Sequence, residues 1–438
     1  MKIIFFSTNA SIFNEKTYLI KTLPSFQSQY ETFIKTHTKD TFLCISQKPC
    51  LFMPEKSTII CDSDDTQEFA TFIKSHNPHF VIPLSFWSED YDWLPLKDSL
   101  ICQELKKMNI NCISNTLEAS LICFNKTDTF NFLNKNNIKT PPSFYINHDL
   151  FFCASNKKEI KYNVYKEAVF SKIENMNYPL IIKDPTSFSS YNMQVVNTIG
   201  EAKNYLNSKK HNSDRLIQEF IDGKNIGLEV YGFYNKRNKY KCIILPSFTF
   251  SVNQYGITSP KLSLKYGPIF FPSLLKSKLN KTIKKLSKNL KLTGPFQIDL
   301  ILRHNNFYVI EINPRLSGLT SSYFSSLNKN FYNMIYELLI LHKKYHKKNF
   351  AKVLNIKIPL LEYEKLEEIK SLAYVCFINQ INNLEAKQER EKGYCEIIIK
   401  GKNKKELKQN LSDFICHYPH FFPSENVEKA ISLIDSRF

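Results

Sequence analysis

Arginine is scarce in this sequence, although the chain is strongly basic. The formal net charge is +18, yet only six of the 59 basic residues are arginines. They are Arg215, Arg237, Arg303, Arg315, Arg390 and Arg437. Surfaces that read nucleic acid favour arginine, because its planar guanidinium forms paired hydrogen bonds and stacks on rings. A basic excess made of lysine therefore disfavours nucleic acid as the main partner.

Cysteine motifs and long apolar runs are also missing. The 11 cysteines are scattered from Cys44 to Cys416, without a C-x-x-C pair or a Cys/His spacing typical of a metal site. We expect them to be reduced, small apolar residues of a cytoplasmic protein. No segment reaches the roughly 18 uninterrupted apolar residues of a transmembrane helix. The short apolar run Ile3–Phe6 predicts a buried first strand rather than a signal peptide.

One segment keeps a membrane surface open as an alternative partner. Ser273–Leu292 has leucine and isoleucine on one helical stripe and lysines on the opposite side. Such a helix could lie on an anionic membrane. Packing of its apolar stripe against a sheet, with the lysines in solvent, is the favoured interpretation.

The order of apolar segments divides the chain into three parts, within the range of about two to four domains that its length suggests. Residues 1–115 alternate short strand-like and helical segments, which predicts a small parallel α/β domain. This part lacks a G-x-G-x-x-G motif, so no dinucleotide is assigned to it. Residues 116–350 follow an α+β pattern, and residues 351–438 contain enough strand and helix for a small α/β cap. The predicted fold class is a multidomain α/β and α+β protein.

A β-hairpin is predicted near residue 300. Two apolar runs, Phe296–Leu302 and Phe307–Ile312, flank the polar cluster Arg303–Asn306. We expect a three-residue loop, His304–Asn306, because that register places the acidic residues of the two strands opposite each other. A two-residue loop would shift the register by one residue and separate them.

Three oxygen-bearing side chains share one face of this hairpin in the predicted register. Asp299 lies opposite Glu311, and Asn313 follows on the same face two residues further on. Two carboxylates in this position repel each other, by about 1 kcal/mol in water and about 4 kcal/mol at an effective dielectric constant of 20. A cation would remove that penalty, and an all-oxygen set suits Mg²⁺ better than Zn²⁺. A solvated hairpin face is the alternative interpretation.

The residues after the second strand favour the metal site. Glu311-Ile-Asn313-Pro-Arg315 resembles the E-[IVM]-N-[PT]-R pattern at the metal-binding end of the ATP-grasp superfamily. The resemblance implies that Asp299, Glu311 and Asn313 hold Mg²⁺ together with ATP, with Mn²⁺ able to substitute. It also implies two ATP-grasp subdomains within residues 116–350, the lid subdomain lying at about 170–235.

Two lysines fit the phosphate side of such a site. Lys126 follows a predicted N-cap, Asn125, in a first helical turn that disfavours a cation unless an anion is bound. Lys183 ends an apolar strand, where a charge is unusual without an anionic partner. The resemblance implies that both lysines contact ATP phosphates; surface lysines are the alternative. The family's glycine-rich lid loop is absent, because Thr186–Asn192 contains no glycine and makes left-handed backbone positions costly.

Contacts with the rest of the nucleotide are implied for nearby residues. Leu216–Gly223 resembles the family's adenine hinge, in which the C=O of Glu219 and the N–H of Ile221 would contact adenine. Asn225 is the implied ribose partner, with Glu229 as a second candidate. Lys265, in a Lys-Tyr pair, resembles a lysine of D-alanine–D-alanine ligases that reaches the γ-phosphate. A solvated loop lysine is the alternative.

The resemblance further implies an ADP-forming carbon–nitrogen ligase of the carboxylate–amine branch. Such an enzyme converts a substrate carboxylate into an acyl phosphate and then joins it to an amine. Arg315 would stabilise charge at the acyl group, and Lys265 with the Ser317–Gly318 turn would complete the catalytic set. An amino acid or short peptide is the expected substrate, and a homodimer is an open assembly state.

Three alternatives remain open at this point. A bicarbonate or carbamoyl-phosphate type of ATP-grasp enzyme is disfavoured, because biotin carboxylases carry Gln-x-Glu where this chain has Leu316–Leu319. The glycine-free segment is compatible with a nucleotide-binding protein of little or no turnover. A basic scaffold on nucleic acid or a membrane would require neither ATP nor Mg²⁺.

Overall fold

The computed structural model describes residues 1–8, 18–47, 51–85, 93–153, 160–186, 193–257, 263–385, 393–421 and 424–436. Its strands are β1 (Lys2–Ser7), β2 (Tyr18–Leu23), β3 (Thr41–Ser46), β4 (Thr58–Ile60), β5 (Phe80–Pro83), β6 (Asn111–Cys112), β7 (Ser143–Ile146), β8 (Leu180–Lys183), β9 (Gln194–Val196), β10 (Arg215–Glu219), β11 (Lys224–Tyr234), β12 (Tyr240–Ile244), β13 (Ser247–Phe250), β14 (Leu264–Ile269), β15 (Gly294–Arg303), β16 (Asn306–Asn313), β17 (Lys352–Ile358), β18 (Val375–Asn383) and β19 (Gly393–Gly401). Its α-helices are α1 (Phe26–Thr36), α2 (Thr66–Ser75), α3 (Leu94–Lys107), α4 (Leu117–Phe124), α5 (Lys126–Lys135), α6 (His148–Phe152), α7 (Val164–Glu174), α8 (Ile199–Leu206), α9 (Ser273–Asn289), α10 (Thr320–Ser326), α11 (Phe331–Leu339), α12 (Tyr363–Ser371), α13 (Lys404–His417) and α14 (Ser424–Asp435).

The N-terminal part of the chain is built on a five-stranded sheet in the order β4-β3-β1-β5-β6. Its strand pairs are all parallel. Ile3 and Phe5 of the central strand β1 belong to one apolar core, and Ile4 and Phe6 belong to another. Alternate residues of a strand point to opposite faces, so β1 is buried on both sides, as parallel sheets require. The predicted parallel α/β architecture of this part is confirmed.

A second, smaller sheet has the order β7-β10-β8-β9 and is antiparallel. Helices α6, α7 and α8 pack on it through a core that includes Phe151, Val169 and Leu206. This unit overlaps the lid range of about 170–235 and begins earlier, at Ser143.

The largest sheet has ten antiparallel strands in the described part of the chain. Its order is β16-β15-β11-β13-β14-β17-β19-β18-β2, with β12 paired to β11. Strands β17, β18 and β19 come from the segment after residue 350, and β2 comes from the N-terminal part. The expected cap therefore shares a continuous sheet with the central segment, through the pairing of β14 with β17.

The two faces of this sheet differ in chemistry. One face packs against α9 and, in its C-terminal half, against α12 and α13, through apolar side chains. The other face, here called the polar face, is partly covered by α10 and α11. The alternation of strand residues places the following polar side chains on it: Gln297, Asp299, Glu229, Lys265, Asn355, Lys357 and Glu396.

Within the ranges that the structure describes, no helix is both long enough and apolar enough to cross a membrane. Helix α9 buries Leu279, Ile283 and Leu286 against the sheet, which agrees with the packing interpretation of this basic segment.

Candidate active site

Strands β15 and β16 form the predicted hairpin, but their loop has two residues rather than three. Arg303 pairs with Asn306, which leaves His304 and Asn305 as the loop. These two residues have φ angles of 46° and 59°, as a tight two-residue hairpin turn requires. The predicted three-residue loop His304–Asn306 is therefore wrong.

A β-bulge restores the pairing that the shorter loop would have destroyed. Leu300 pairs with Val309, but the register then shifts, so that Asp299 pairs with Glu311. Ile310 is the extra residue on its strand, opposite no partner of its own. The predicted opposition of Asp299 and Glu311 is confirmed, and a bulge rather than the loop length produces it.

Asp299 is held in place next to a like charge. Gln297 Nε2 donates a hydrogen bond to Asp299 Oδ1 at 2.6 Å. Burial, and after it the charge of Glu311, raises the pKa of Asp299 to about 7. Asn313 lies on the same face, since it pairs with Gln297. The hairpin therefore concentrates two carboxylates and two amides on a small area of the polar face.

A glycine beside Asp299 makes room for this carboxylate. Gly227 of β11 pairs with Asp299. A Cβ atom at position 227 would lie 2.8 Å from Asp299 Oδ1 and 2.5 Å from Cζ of Phe250. Sequence reasoning missed Gly227, although a glycine inside a strand can signal a close approach of this kind.

The donor set of the hairpin fits a hard divalent cation. Asp299, Glu311 and Asn313 offer oxygen atoms only, which is the preference of Mg²⁺ and not of Zn²⁺. The described ranges contain no group of three or more His, Cys, Asp or Glu residues that could hold a metal ion. A cation at the hairpin would therefore be held by two carboxylates and an amide, and it would relieve the mutual repulsion of the carboxylates.

Lys126 lies directly beside these acids. It begins α5, and the predicted N-cap is confirmed, since Asn125 Oδ1 accepts from a first-turn N–H at 2.8 Å. The N–H of Lys126 donates to Pro185 O at 2.9 Å, which ties the helix start to the chain after β8. Lys126 Nζ lies 3.4 Å from Glu311 Oε1.

Lys183 is the second cation of this cluster. It ends β8, is only 4% exposed, and donates from Nζ to Gln218 Oε1 at 2.9 Å. Burial, followed by the charge of Lys126, lowers the pKa of Lys183 to about 8, while Glu311 opposes the shift. Two ammonium groups in a shared, partly buried site are stabilised by an anion between them, so the pair suits a phosphate.

A pocket joins Lys126 to the hairpin. Lys126, Thr186, Glu311 and Asn313 are among the residues that line it. The rest of the glycine-free segment, residues 187–192, lies outside the described residues.

The predicted adenine hinge follows β10, the strand that pairs with β8. The N–H of Glu219 donates to Pro142 O and that of Phe220 to Pro179 O, so the backbone is fixed up to Ile221. The Glu219 carboxylate accepts from Asn177, which leaves its side chain outside the hinge contacts. The implied ribose partner Asn225 lies in β11 at the start of the large sheet.

Glu229 is buried among hydroxyl groups of the protein itself. It is 0% exposed, and its Oε1 accepts from Ser317 Oγ at 2.5 Å and from Thr320 Oγ1. Its Oε2 accepts from Tyr231 Oη at 2.8 Å. Burial raises the pKa of Glu229, and these hydroxyl donors oppose that shift. A carboxylate with three protein donors and no exposed surface cannot reach a ribose, so the predicted ribose contact of Glu229 is wrong. Instead, Glu229 holds the turn at Ser317 and Thr320.

Three of the predicted catalytic residues, Arg315, Ser317 and Gly318, lie at that turn, and the fourth, Lys265, contacts it from β14. Arg315 Nη1 donates to Leu316 O at 3.0 Å, and its charge acts on Asp299. Lys265 Nζ donates to Gly318 O at 2.7 Å, and burial lowers the pKa of Lys265 to about 8. The structure thus brings Arg315, Lys265 and Gly318 together beside the hairpin acids, while the Ser317 hydroxyl is committed to Glu229.

Replacing Glu229 tests its role in holding the turn. Glu229→Ala leaves three buried hydroxyls without their acceptor and should lower the free energy of unfolding by about 3 kcal/mol or more. Glu229→Gln keeps an acceptor for Ser317 and Thr320 and should cost about 1 kcal/mol. Urea unfolding followed by circular dichroism measures both. Equal losses in the two variants would contradict a role for the hydroxyl acceptor.

Comparison with known proteins agrees with this geometry. Residues 123–319 match the family model described as the ATP-grasp domain. A D-alanine–D-alanine ligase of Desulforamulus reducens is 24% identical over 227 residues, which are 52% of this chain and 69% of that protein.

Solved structures show the same fold at low sequence identity. L-amino acid ligase from Bacillus licheniformis is 16% identical, with a TM-score of 0.61 over 94% of this chain and 96% of its own. N5-carboxyaminoimidazole ribonucleotide synthetase from Thermus thermophilus is 10% identical, with a TM-score of 0.61 over 94% and 98%. Residues 123–319 of this chain therefore match an ATP-grasp domain, and the chain as a whole shares the fold of these solved structures.

Proposed function

We propose that this protein is an ATP- and Mg²⁺-dependent carbon–nitrogen ligase. It would activate a substrate carboxylate as an acyl phosphate, join it to an amine and form ADP. The observation that carries the proposal is the pairing of Asp299 with Glu311 directly beside Lys126 and Lys183. Opposed acids call for a cation and clustered lysines call for an anion, and Mg²⁺ with ATP phosphates supplies both charges in one ligand.

The metal and phosphate side of the proposal rests on the hairpin and the two lysines. Asp299, Glu311 and Asn313 would hold Mg²⁺, and Mn²⁺ could substitute. When bound, the ion neutralises phosphate charge and orients the transferred group. Lys126 would exchange its contact with Glu311 for a phosphate oxygen.

The nucleotide base and sugar would lie along the hinge. The C=O of Glu219 and the N–H of Ile221 are proposed to contact adenine, because neighbouring N–H groups already fix this backbone. Asn225 remains the proposed ribose partner. Gln218 would keep the Lys183 ammonium in place for the phosphates.

The acyl side of the reaction would take place at the turn after β16. Arg315 is proposed to stabilise the negative charge that develops on the acyl group, where removal of one such donor costs about 3–4 kcal/mol. Lys265 would reach the γ-phosphate from its position on Gly318. An amino acid or short peptide is the proposed substrate, since the named relatives include a D-alanine–D-alanine ligase and an L-amino acid ligase.

Thermal unfolding with and without nucleotide tests the binding half of this proposal. ATP at about 100 times its Kd should stabilise the protein by about 2.7 kcal/mol, with Mg²⁺ present and not after addition of EDTA. Equal stabilisation with and without Mg²⁺ would contradict the assigned metal site.

Product analysis tests the reaction itself. Pairs of amino acids are incubated with MgATP, ADP is quantified, and condensed products are identified by mass spectrometry. Mg²⁺-dependent ATP binding without ADP formation across a broad panel would favour a binding protein without turnover over a ligase.

A further inference from the structure

Lys357 and Glu396 carry opposite charges and face each other across two neighbouring strands of the polar face, but they form no salt bridge. Lys357 of β17 and Glu396 of β19 are direct partners in the ladder, a position in which Cβ atoms lie about 5 Å apart. A salt bridge is the ordinary result of such a pairing. Instead, Lys357 Nζ lies over the ring of Tyr394, 3.8 Å from its centroid. Within the part of the chain that is described, no ion pair joins Lys357 to Glu396.

Glu396 is held away from the lysine by neutral donors. It is 7% exposed, and its Oε1 accepts from Asn355 Nδ2 and, at 3.2 Å, from Ser321 Oγ. Asn355 Nδ2 also donates to Ser322 Oγ at 3.1 Å. These contacts engage one carboxylate oxygen only, and Oε2 has no hydrogen-bond partner among the described residues.

Lys357 and Glu396 lie near the Ser317–Gly318 turn. Ser321, which holds Glu396, lies three residues after Gly318 in the sequence. Lys265 pairs with Asn355 across β14 and β17, and its Nζ is bonded to Gly318 O. Lys265, Glu396 and Lys357 therefore form a row of alternating charge that leads away from the turn.

We propose that Lys357 and Glu396 bind the charged head group of an amino-acid substrate, its carboxylate at Lys357 Nζ and its ammonium at Glu396 Oε2. The two charges attract each other through space, but neither Lys357 Nζ nor Glu396 Oε2 has a hydrogen-bond partner among the described residues. A zwitterion supplies a charged hydrogen-bond partner to both groups at once. A neutral ligand would offer a charged partner to neither group, and a simple carboxylate would offer none to Glu396 Oε2. Charge-assisted hydrogen bonds of this kind are among the stronger polar contacts. This inference rests on the proposed ligase function and deepens it by naming the substrate class of its pocket.

Two substitutions separate the two halves of the recognition. Lys357→Met removes the charge and keeps an unbranched chain over Tyr394. Glu396→Gln keeps an oxygen that accepts from Asn355 and Ser321 and removes the negative charge. Lys400→Met is the matched control, because Lys400 lies on the same face of β19 and contacts Asn328 at the other end.

The probes are the proteinogenic L-amino acids, their α-amides and their N-acetyl derivatives. Binding is measured by calorimetry with Mg²⁺ and a non-hydrolysable ATP analogue, and turnover by phosphate release with ATP. The wild type should prefer the free amino acid to both derivatives by at least about tenfold. Lys357→Met should no longer prefer the free amino acid to its α-amide but should still prefer it to the N-acetyl derivative. Glu396→Gln should show the reverse pattern. Lys400→Met should keep both preferences.

The outcomes distinguish this inference from the proposed function. If amino acids are turned over and both variants keep the wild-type preferences, the ligase stands and the head-group site is overturned. If amino acids bind with the expected preferences but no phosphate is released, the site stands and the ligase fails. If no amino acid binds, the head-group site is overturned.

Discussion

Asp299→Asn should abolish the Mg²⁺-dependent stabilisation by ATP without weakening the ATP-free protein. The substitution removes one of two carboxylates that would hold the cation, so ligase activity should fall by more than about 100-fold, since even outer partners of metal ligands are worth about 10–100-fold. In the ATP-free protein it removes a buried charge whose pKa is raised by burial and by Glu311. We therefore expect a gain of about 1 kcal/mol in stability, the trade-off usual for active-site charges. Thermal unfolding with and without MgATP measures both effects.

Two further variants sharpen this test. Glu311→Gln should also abolish the effect of Mg²⁺ but gain less stability, because Glu311 is 30% exposed and has Lys126 as a favourable neighbour. Asp149→Asn, at a side chain that is 61% exposed, should change neither property. A wild-type response of the Asp299 variant to MgATP would remove Asp299 from the metal site.

Some features of the hairpin could be predicted from the sequence and others could not. The acids, the apolar runs and the position of the turn are local features, and all of them could be predicted from Phe296–Ile312. The bulge at Ile310 could not, because no property of this apolar residue marks it as the unpaired one. The prediction of loop length failed while the prediction of facing acids held, since the bulge compensates for the shorter loop.

Side chains whose role depends on distant partners were the hardest to predict. From the sequence, Glu229 is a candidate ribose ligand because the resemblance implies such a contact just beyond the hinge, where Glu229 is the second candidate after Asn225. Its actual partners, Ser317 and Thr320, are 88 and 91 residues away. Lys357 and Glu396 each place a charge within an apolar strand. That they face each other follows only from the register of β17 and β19, which the sequence does not reveal.

Arg315→Ala should lower kcat by about 100–1000-fold and leave MgATP binding nearly unchanged. The guanidinium is proposed to stabilise charge that develops on the acyl group, and loss of one preorganised donor of this kind has that effect. Arg315 lies beside the metal site but donates to Leu316 O, so the hairpin should keep its geometry. Arg315→Lys should recover only part of the rate, because lysine keeps the charge and loses the planar fork.

The discriminating measurement is the comparison of kcat with the thermal shift caused by MgATP. Arg237→Ala, an exposed arginine on the turn between β11 and β12, is the control and should match the wild type in both. If Arg315→Ala loses the thermal shift together with the rate, then Arg315 supports the nucleotide site rather than the acyl group. If it loses neither, charge on the acyl group is stabilised elsewhere, and Lys265, bonded to the same turn through Gly318, becomes the residue to replace.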